Sequence, residues 1–288
     1  MQRKKEPKIS LYFSLLEDGT LLILSNARKS DQIPERVHPI FDKEEDVYNL
    51  SVPPKYMIDM VGDLVGEKKR GIVTNFHGKY IPGTGKRSKI RPDITRNASY
   101  HGEDGYDTLK EWSHYYGIFP NIITLHFFNG LQVKLDSRGI FSIFKGKASD
   151  FLPILYPIIE YNQRIKKQIE KDSRYELIEL KGSEGERTVG LEYPWNIRFD
   201  NVLAMSKYDS ILKETSSMHK ISYLSKIVND DSRFLLADII DDLKKVKMEL
   251  RIKDNDIMIY PVERSDIGAN LRMFDIISGN IDIRAEVR

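Results

Sequence analysis

The stretch NIITLHFFNGLQVKLDSRGIFSIF, residues 121–144, carries the clearest structural instruction in the chain. Ile122–Phe128, Leu131–Leu135 and Ile140–Phe144 are rich in β-branched and aromatic residues, and Asn129-Gly130 and Asp136-Ser137-Arg138-Gly139 separate them. Asn-Gly between apolar runs signals a hairpin, because both positions tolerate the positive φ that a tight turn between twisted strands needs. The spacing predicts a three-stranded antiparallel meander. Directly after it, Ser149 stands where an N-cap is wanted, and Ile158, Tyr161, Ile165 and Ile169 recur at helical spacing. Pro153 falls near the helix start, where a missing N–H is tolerable, whereas Pro157 is expected to bend or restart the helix. A sheet backed by a helix is therefore the expected core.

Working outward toward the N-terminus, Lys8–Leu16 and Thr20–Ser25 flank Glu17-Asp18-Gly19, which predicts an opening β-hairpin. Acidic residues cluster at Asp42, Glu44, Glu45 and Asp46. Pro53-Pro54 then starts a helical pattern with Met57, Val61, Leu64 and Val65 on one face and Gly66 as terminator. Segment 67–106 is dense in turn residues and reads as an extended loop with at most a short strand near Gly71–Phe76. Toward the C-terminus, the charged stretch 171–187 is the expected boundary. Beyond it Leu235, Leu236, Ile239, Ile240 and Leu243 follow Ser232 at helical spacing, and helices are expected across 206–246. Met248–Ile252 and Ile257–Val262 flank Lys253-Asp254-Asn255-Asp256 as a second hairpin, and Ile281–Val287 alternates as a half-exposed strand. The fold class is read as α+β, with antiparallel meanders backed by helices and a mainly helical C-terminal part containing a β-hairpin. Three regions are expected: 1–105, 106–172 and 173–288.

With 40% hydrophobic and 31% charged residues in 288, the chain is globular and long enough to bury a large core. Lys and Arg total 45 against 43 Asp and Glu, so any polyanion surface must come from how the charges are distributed. The absence of cysteine excludes disulfides and thiolate–metal sites. Met1-Gln2-Arg3-Lys4-Lys5 is not followed by a signal-type apolar run, and nothing approaches a transmembrane length. A cytoplasmic protein with no membrane partner is expected.

Charge is distributed unevenly. Lys68, Lys69, Arg70, Lys79, Lys86, Arg87, Lys89, Arg91 and Arg96 lie in one glycine-rich segment whose one acid is Asp93. Closely spaced cations replace the counterions condensed on a phosphate chain, and glycines let the backbone approach it. Phe76 and Tyr80 are candidates for stacking on bases. Lys68, Lys69 and Arg70 also complement a helix C-terminus, and pairing of the segment with the acids at 42–46 is the lesser alternative. Gly83-Thr84-Gly85-Lys86 is not a nucleotide-hydrolysing loop, because Tyr80 replaces its first glycine and Arg87 its metal-holding hydroxyl. His101, Glu103, Asp104, Asp107, Glu111 and His114 have metal-ligand chemistry, and a helix over Tyr106–Tyr116 would align Asp107, Glu111 and His114. Acids early in a helix are also ordinary dipole complements. His126 reads as a packed or edge histidine, Trp195 as a domain-closing anchor, and Tyr115, Tyr116 and Trp195 as aromatics available to a protein partner.

The runs Ile123-Thr124-Leu125-His126-Phe127-Phe128-Asn129-Gly130 and Gly139-Ile140-Phe141-Ser142-Ile143-Phe144-Lys145-Gly146-Lys147-Ala148-Ser149 resemble half of a TATA-binding-protein repeat over residues 121–159. The resemblance implies strands leading to a long helix that grips the sheet, and it points to DNA. No second copy is found, and the family's paired wedge phenylalanines have no counterpart, so no functional residue is carried over. The expected function is a non-catalytic nucleic-acid-binding protein, an accessory subunit of a nucleoprotein complex, with no cofactor. The alternatives are a metal-dependent nuclease using the 101–114 cluster and a protein–protein scaffold.

Overall fold

The computed structural model describes residues 10–26, 37, 40–41, 44, 47–81, 97–182, 185–199, 220–229 and 234–288. The opening hairpin pairs β1 (Leu11–Leu15) with β2 (Leu21–Ser25), and the Asp18 carboxylate accepts the Thr20 N–H at 2.8 Å in the turn. Helix α1 (Pro54–Val61) begins on its proline and buries Met57 and Val61. It runs on as a wider π-helical turn over Gly62–Glu67, so Gly66 does not terminate it. The Tyr106 ring lies directly over Gly66, and a Cβ there would meet its hydroxyl at 2.5 Å. Lys69, with φ 47°, makes the left-handed exit instead.

The expected loop over 67–106 is mostly sheet. Strand β3 (Gly71–Tyr80) is ten residues long and pairs with β4 (Asn97–His101) on one side. On the other side it pairs with β5 (Ile118–Phe127), the first strand of the meander. Its composition hid it, because glycines and polar residues replace the apolar alternation of an ordinary strand. Between β4 and β5 lie α2 (Gly105–Glu111) and a second π-helical turn, Trp112–Tyr116. The meander continues through β6 (Gln132–Asp136) and β7 (Phe141–Lys145), completing a five-stranded antiparallel sheet in the order β4-β3-β5-β6-β7. One face carries Val73, Phe76, Ile123, Leu125, Val133 and Leu135, aligned across strands by the register. They pack with Met57, Val61, Leu109, Phe151 and Ile158 into the first core.

Helix α3 (Ala148–Asp172) runs unbroken through Pro153 and Pro157, both exposed. Its cap is Lys147, whose N–H the Asp150 carboxylate accepts at 3.1 Å, rather than Ser149. Ile154 and Ile158 belong to the first core, while Ile165 and Ile169 belong to a second. One helix therefore contributes to both cores, and residue 105 falls between strands β4 and β5 of the first sheet.

The C-terminal part is not mainly helical. After the hairpin β8 (Arg174–Gly182) and β9 (Gly185–Tyr193) come β10 (Trp195–Arg198), β11 (Ile221–Asn229), β12 (Phe234–Asp241), β13 (Val246–Lys253) and β14 (Asp256–Pro261). With β15 (Glu286–Val287) they form a six-stranded antiparallel sheet ordered β11-β12-β13-β14-β10-β15. The hairpin about Asp254-Asn255 is present. Where helices were expected, Leu235, Ala237 and Ile239 are fully buried at a period of two, and Leu236 and Ile240 face the other way. Apolar pairs at 235/236 and 239/240 satisfy a helical period and a strand period equally, and pairing with β13 decides between them. Residues 206–219 and 230–233 of the expected helices, the expected cap Ser232 among them, lie outside the described residues. The expected final strand shortens to Glu286–Val287, because Asp282 turns the chain by accepting the Arg284 N–H at 3.0 Å. Helix α4 (Ile267–Asn280) covers the second sheet, capped by the Asp266 carboxylate on the Ala269 N–H at 2.9 Å. Trp195 is fully buried, its indole N–H donating to Asn270 at 3.0 Å, so it is an internal anchor and not a partner surface. Tyr115 and Tyr116 are exposed.

Candidate nucleic-acid interface

The structure separates the basic residues that are close in sequence. Lys68, Lys69 and Arg70 stand at the start of β3 and Lys79 near its end. At about 3.3 Å per residue they are roughly 30 Å apart. Lys68 pairs with Asp63 at 2.6 Å, and Lys79 donates to Asn280 at 2.7 Å. Lys86, Arg87, Lys89, Arg91 and Arg96 lie outside the described residues, as does Gly83-Thr84-Gly85-Lys86. Phe76 is fully buried, 5.3 Å from the Tyr100 ring and 5.1 Å from Trp112, so it stacks inside the core and not on a base.

What the sequence did not show is the second face of the five-stranded sheet. Helices α1, α2 and α3 all contribute to the core on the first face. Across the opposite face the register aligns Ile72, His126, Gln132 and Lys145 in one row and Asn75, Thr124, Lys134 and Ser142 in the next. His77 and His101 add to it, with His77 Nδ1 2.7 Å from the Ser99 hydroxyl and His101 Nδ1 3.3 Å from the Asn75 amide. All of these side chains are exposed or half-buried, and His126, read as packed or edge, sits on a central strand facing outward. Neither row carries a carboxylate; Asp136, opposite Ile122 toward the far end, is buried and paired with Arg138 at 2.8 Å.

The near end is basic and aromatic. The Phe128 N–H donates to the Arg70 carbonyl at 2.9 Å, which brings Lys68, Lys69 and Arg70 beside the β5–β6 turn. Lys145 pairs opposite Gln132 at the same end, and Lys147 follows it. A bulge between β6 and β7 leaves Phe144 without a partner position, and alternation puts Phe128 and Phe144 on the open side. They are 73% and 60% exposed. The signal for this surface was the polar member of each alternating pair in 122–145, legible only once the register had set the rows side by side.

The acid–histidine cluster does not assemble. His101 is on the sheet, while Asp107 and Glu111 are on α2. The π-helical turn from Trp112 rotates His114 out of the i, i+7 line, and its ring meets Tyr115 edge-on at 4.6 Å. The Asp104 carboxylate instead accepts the Tyr100 hydroxyl, a bond that lowers the acid's pKa and raises the phenol's. Among the described residues no group of three or more His, Asp or Glu side chains is placed to hold a metal ion. Nor is any described helix long and apolar enough to cross a membrane.

Comparison with known proteins gives two matches. The family model AF_0896_M, described as a family middle domain, matches residues 55–138, from α1 to the turn after β6. A protein of Archaeoglobus fulgidus described as uncharacterized is 24% identical over 293 aligned residues, covering 98% of this chain and 79% of that protein. No solved structure matches.

Proposed function

We propose that this protein is a non-catalytic nucleic-acid-binding protein that lays the strand across the open face of its five-stranded sheet. The observation that supports it is that face itself: histidine, amide, hydroxyl and lysine side chains in register, with Lys68, Lys69, Arg70, Lys145 and Lys147 and two exposed phenylalanines at one end. Cations at the rim attract phosphates without reading sequence, and exposed rings stack on unpaired bases. The five cations between 86 and 96 follow β3 in sequence and lie outside the described residues. The preference is for a single strand, since Phe128 and Phe144 have no use for bases already stacked in a duplex.

A role as accessory subunit of a larger assembly draws on a different feature. The hairpin β8–β9 exposes Leu177, Leu180, Val189 and Leu191, and β1–β2 exposes Tyr12, Phe13 and Leu15. Two-stranded ribbons are marginal alone, and apolar side chains on them suit a protein neighbour.

The test is a salt series of fluorescence anisotropy with labelled single- and double-stranded oligonucleotides. Replacing Arg70, Lys134 and Lys145 by Ala should weaken single-strand binding at least tenfold and flatten the log K against log salt slope by about 2, at roughly 0.7 per phosphate contact. An unchanged slope in that variant would overturn the assignment of this face.

A further inference from the structure

Three of the chain's six histidines stand on the open face of the five-stranded sheet, one in each of three successive rows. His126 on β5 shares a row with Ile72, Gln132 and Lys145. His101 on β4 heads the next, which continues through Asn75, Thr124, Lys134 and Ser142. His77 on β3 lies between Ser99 and Ile122 in the third. Rows two residues apart on one face are separated by about 6.6 Å, and the three rings also stand on three different strands. They are spread over the face, and among the described residues no three such groups converge on a metal ion. Each ring is a separate site.

His77 and His101 are exposed and His126 is half-buried. His77 Nδ1 is 2.7 Å from the Ser99 hydroxyl, and His101 Nδ1 is 3.3 Å from the Asn75 amide. These bonds orient the two rings and leave each Nε2 without a partner among the described residues. A hydroxyl and an amide can each donate or accept, so both bonds survive a change in the ring's protonation. His126 has no side-chain hydrogen bond or ion pair among the described residues. The charged neighbours of His126 are Lys145 in its own row, Lys134 one row away and Arg70 just before β3. Those of His101 are Lys134 in its row and Glu103 two residues along the chain, with Asp104 committed to the Tyr100 hydroxyl. Near His77 are Lys79, which donates to Asn280 at 2.7 Å, and Asp136, buried against Arg138. Among the described residues no carboxylate pairs with any of the three rings.

We propose that His77, His101 and His126 are phosphate-contacting residues of this face, and that nucleic-acid binding there is coupled to proton uptake by their rings. The inference rests on the reading of this face as the nucleic-acid surface. Histidine is the side chain that ordinarily changes charge between pH 5 and pH 8. A neutral imidazole offers a phosphate one N–H donor, whereas the protonated ring donates from both nitrogens and adds a positive charge. An anion within about 4–6 Å favours the charged form, so the complex holds more protons than the free protein. Linkage fixes the sign: binding strengthens as pH falls, about tenfold per pH unit for each proton taken up. One other group needs a control. Asp275 on α4 accepts the Ser51 hydroxyl at the junction of the two cores, and burial pushes its carboxyl up to about 7.

Isothermal titration of the full chain with an oligothymidylate lacking terminal phosphate tests this at pH 6 and pH 8 in constant salt. Neither phosphodiesters nor thymines titrate in that interval, so a linked proton belongs to the protein. Affinity should be at least about tenfold higher at pH 6, an average uptake of half a proton over the two units. At pH 7 the binding heat should differ between buffers of low and high ionisation enthalpy, with the sign of proton uptake. The triple variant His77→Gln, His101→Gln, His126→Gln should keep the pH 8 affinity within about threefold and gain less than about twofold at pH 6. His114→Gln, on the π-helical turn after α2, and Asp275→Asn should each retain the full gain. Circular dichroism at both pH values checks the fold; if the triple variant unfolds, the exposed pair His77→Gln, His101→Gln should still lose at least half of the logarithmic gain. Salt-dependent binding that is equal at pH 6 and pH 8 overturns the proton coupling and leaves the nucleic-acid reading standing. No binding at either pH removes both. A pH dependence that persists in the folded triple variant, or disappears with His114→Gln or Asp275→Asn, places the proton elsewhere and overturns the assignment.

Discussion

The two large sheets share one plan and differ in what their uncovered faces do with charge. On the six-stranded sheet several open-face charges are matched locally. Arg251 lies 2.5 Å from Glu249 and 4.2 Å from the Tyr260 ring centroid, Arg198 pairs with Asp256 at 2.7 Å, and the Ser225 hydroxyl donates to Asp238 at 2.6 Å. On the five-stranded sheet the rows hold histidines, amides, hydroxyls and lysines, and the nearby carboxylate, Asp136, is buried against Arg138. A sheet face that cancels its own charges has little to offer a polyanion. One that gathers cations with few acids in its rows has more to offer, because among the described residues only Lys68 of that rim is held in an ion pair, with Asp63.

The strongest test of this pairing asks whether the halves are separate at all. Trp195→Ala in the second core and Phe76→Ala in the first should each cost about 3–5 kcal/mol. Because α3 contributes to both cores, each should shift a single urea transition of the whole chain; two resolved transitions would show that the halves fold independently. Next is the junction. The Asp275 carboxyl is raised to about 7 in the fold from an ordinary value near 4, so the folded state binds the proton more tightly than the unfolded chain. Stability from this group is full below about pH 4 and is lost as pH rises through about 7. Asp275→Asn should thus stabilise the protein at pH 8, on the order of 2–4 kcal/mol, and change little at pH 4. Equal shifts at both pH values would contradict a buried, raised carboxyl. A smaller effect sharpens the comparison of faces. Lys247→Ala with Arg251→Ala on the six-stranded sheet should alter oligonucleotide affinity less than twofold, against at least tenfold for Arg70, Lys134 and Lys145, which is about 1.4 kcal/mol. Equal losses from the two faces would mean that charge placement does not matter. Smallest is Lys69→Gly, which removes a side chain from left-handed backbone at φ 47° and should raise stability by no more than about 1 kcal/mol in thermal unfolding.

The meander was legible because Asn129-Gly130 and Gly139 punctuate strands whose alternation is unambiguous. Strand β3 was not, because Gly71 and Gly78 stand where neighbouring backbone comes close. A Cβ on Gly71 would meet the His126 carbonyl at 2.4 Å, so the residue that looked like a loop marker is a packing requirement. Strand β12 failed for another reason. Its doubled apolar pairs fit two periods, and only the neighbouring strand selects one. The basic segment was visible as composition, yet Lys68, Lys69 and Arg70 were grouped with Lys79 because distance along the chain says nothing about which end of a strand a residue occupies.

By itself the sequence determined the local instructions: where the chain turns, which residues alternate, that cysteine chemistry is absent, and that cations crowd one stretch. The tertiary structure alone decided that α3 joins two cores, that the second half is a sheet, and that Asp107, Glu111 and His114 do not converge. It also decided which polar residues of β3, β5 and β6 share an open face, and that Asp275 meets Ser51 across the junction. Turns and periodicity are set by each residue's own backbone and its nearest neighbours. Strand pairing, burial and a shifted proton affinity belong to residues far apart in sequence, and they exist only once the chain has folded them into contact.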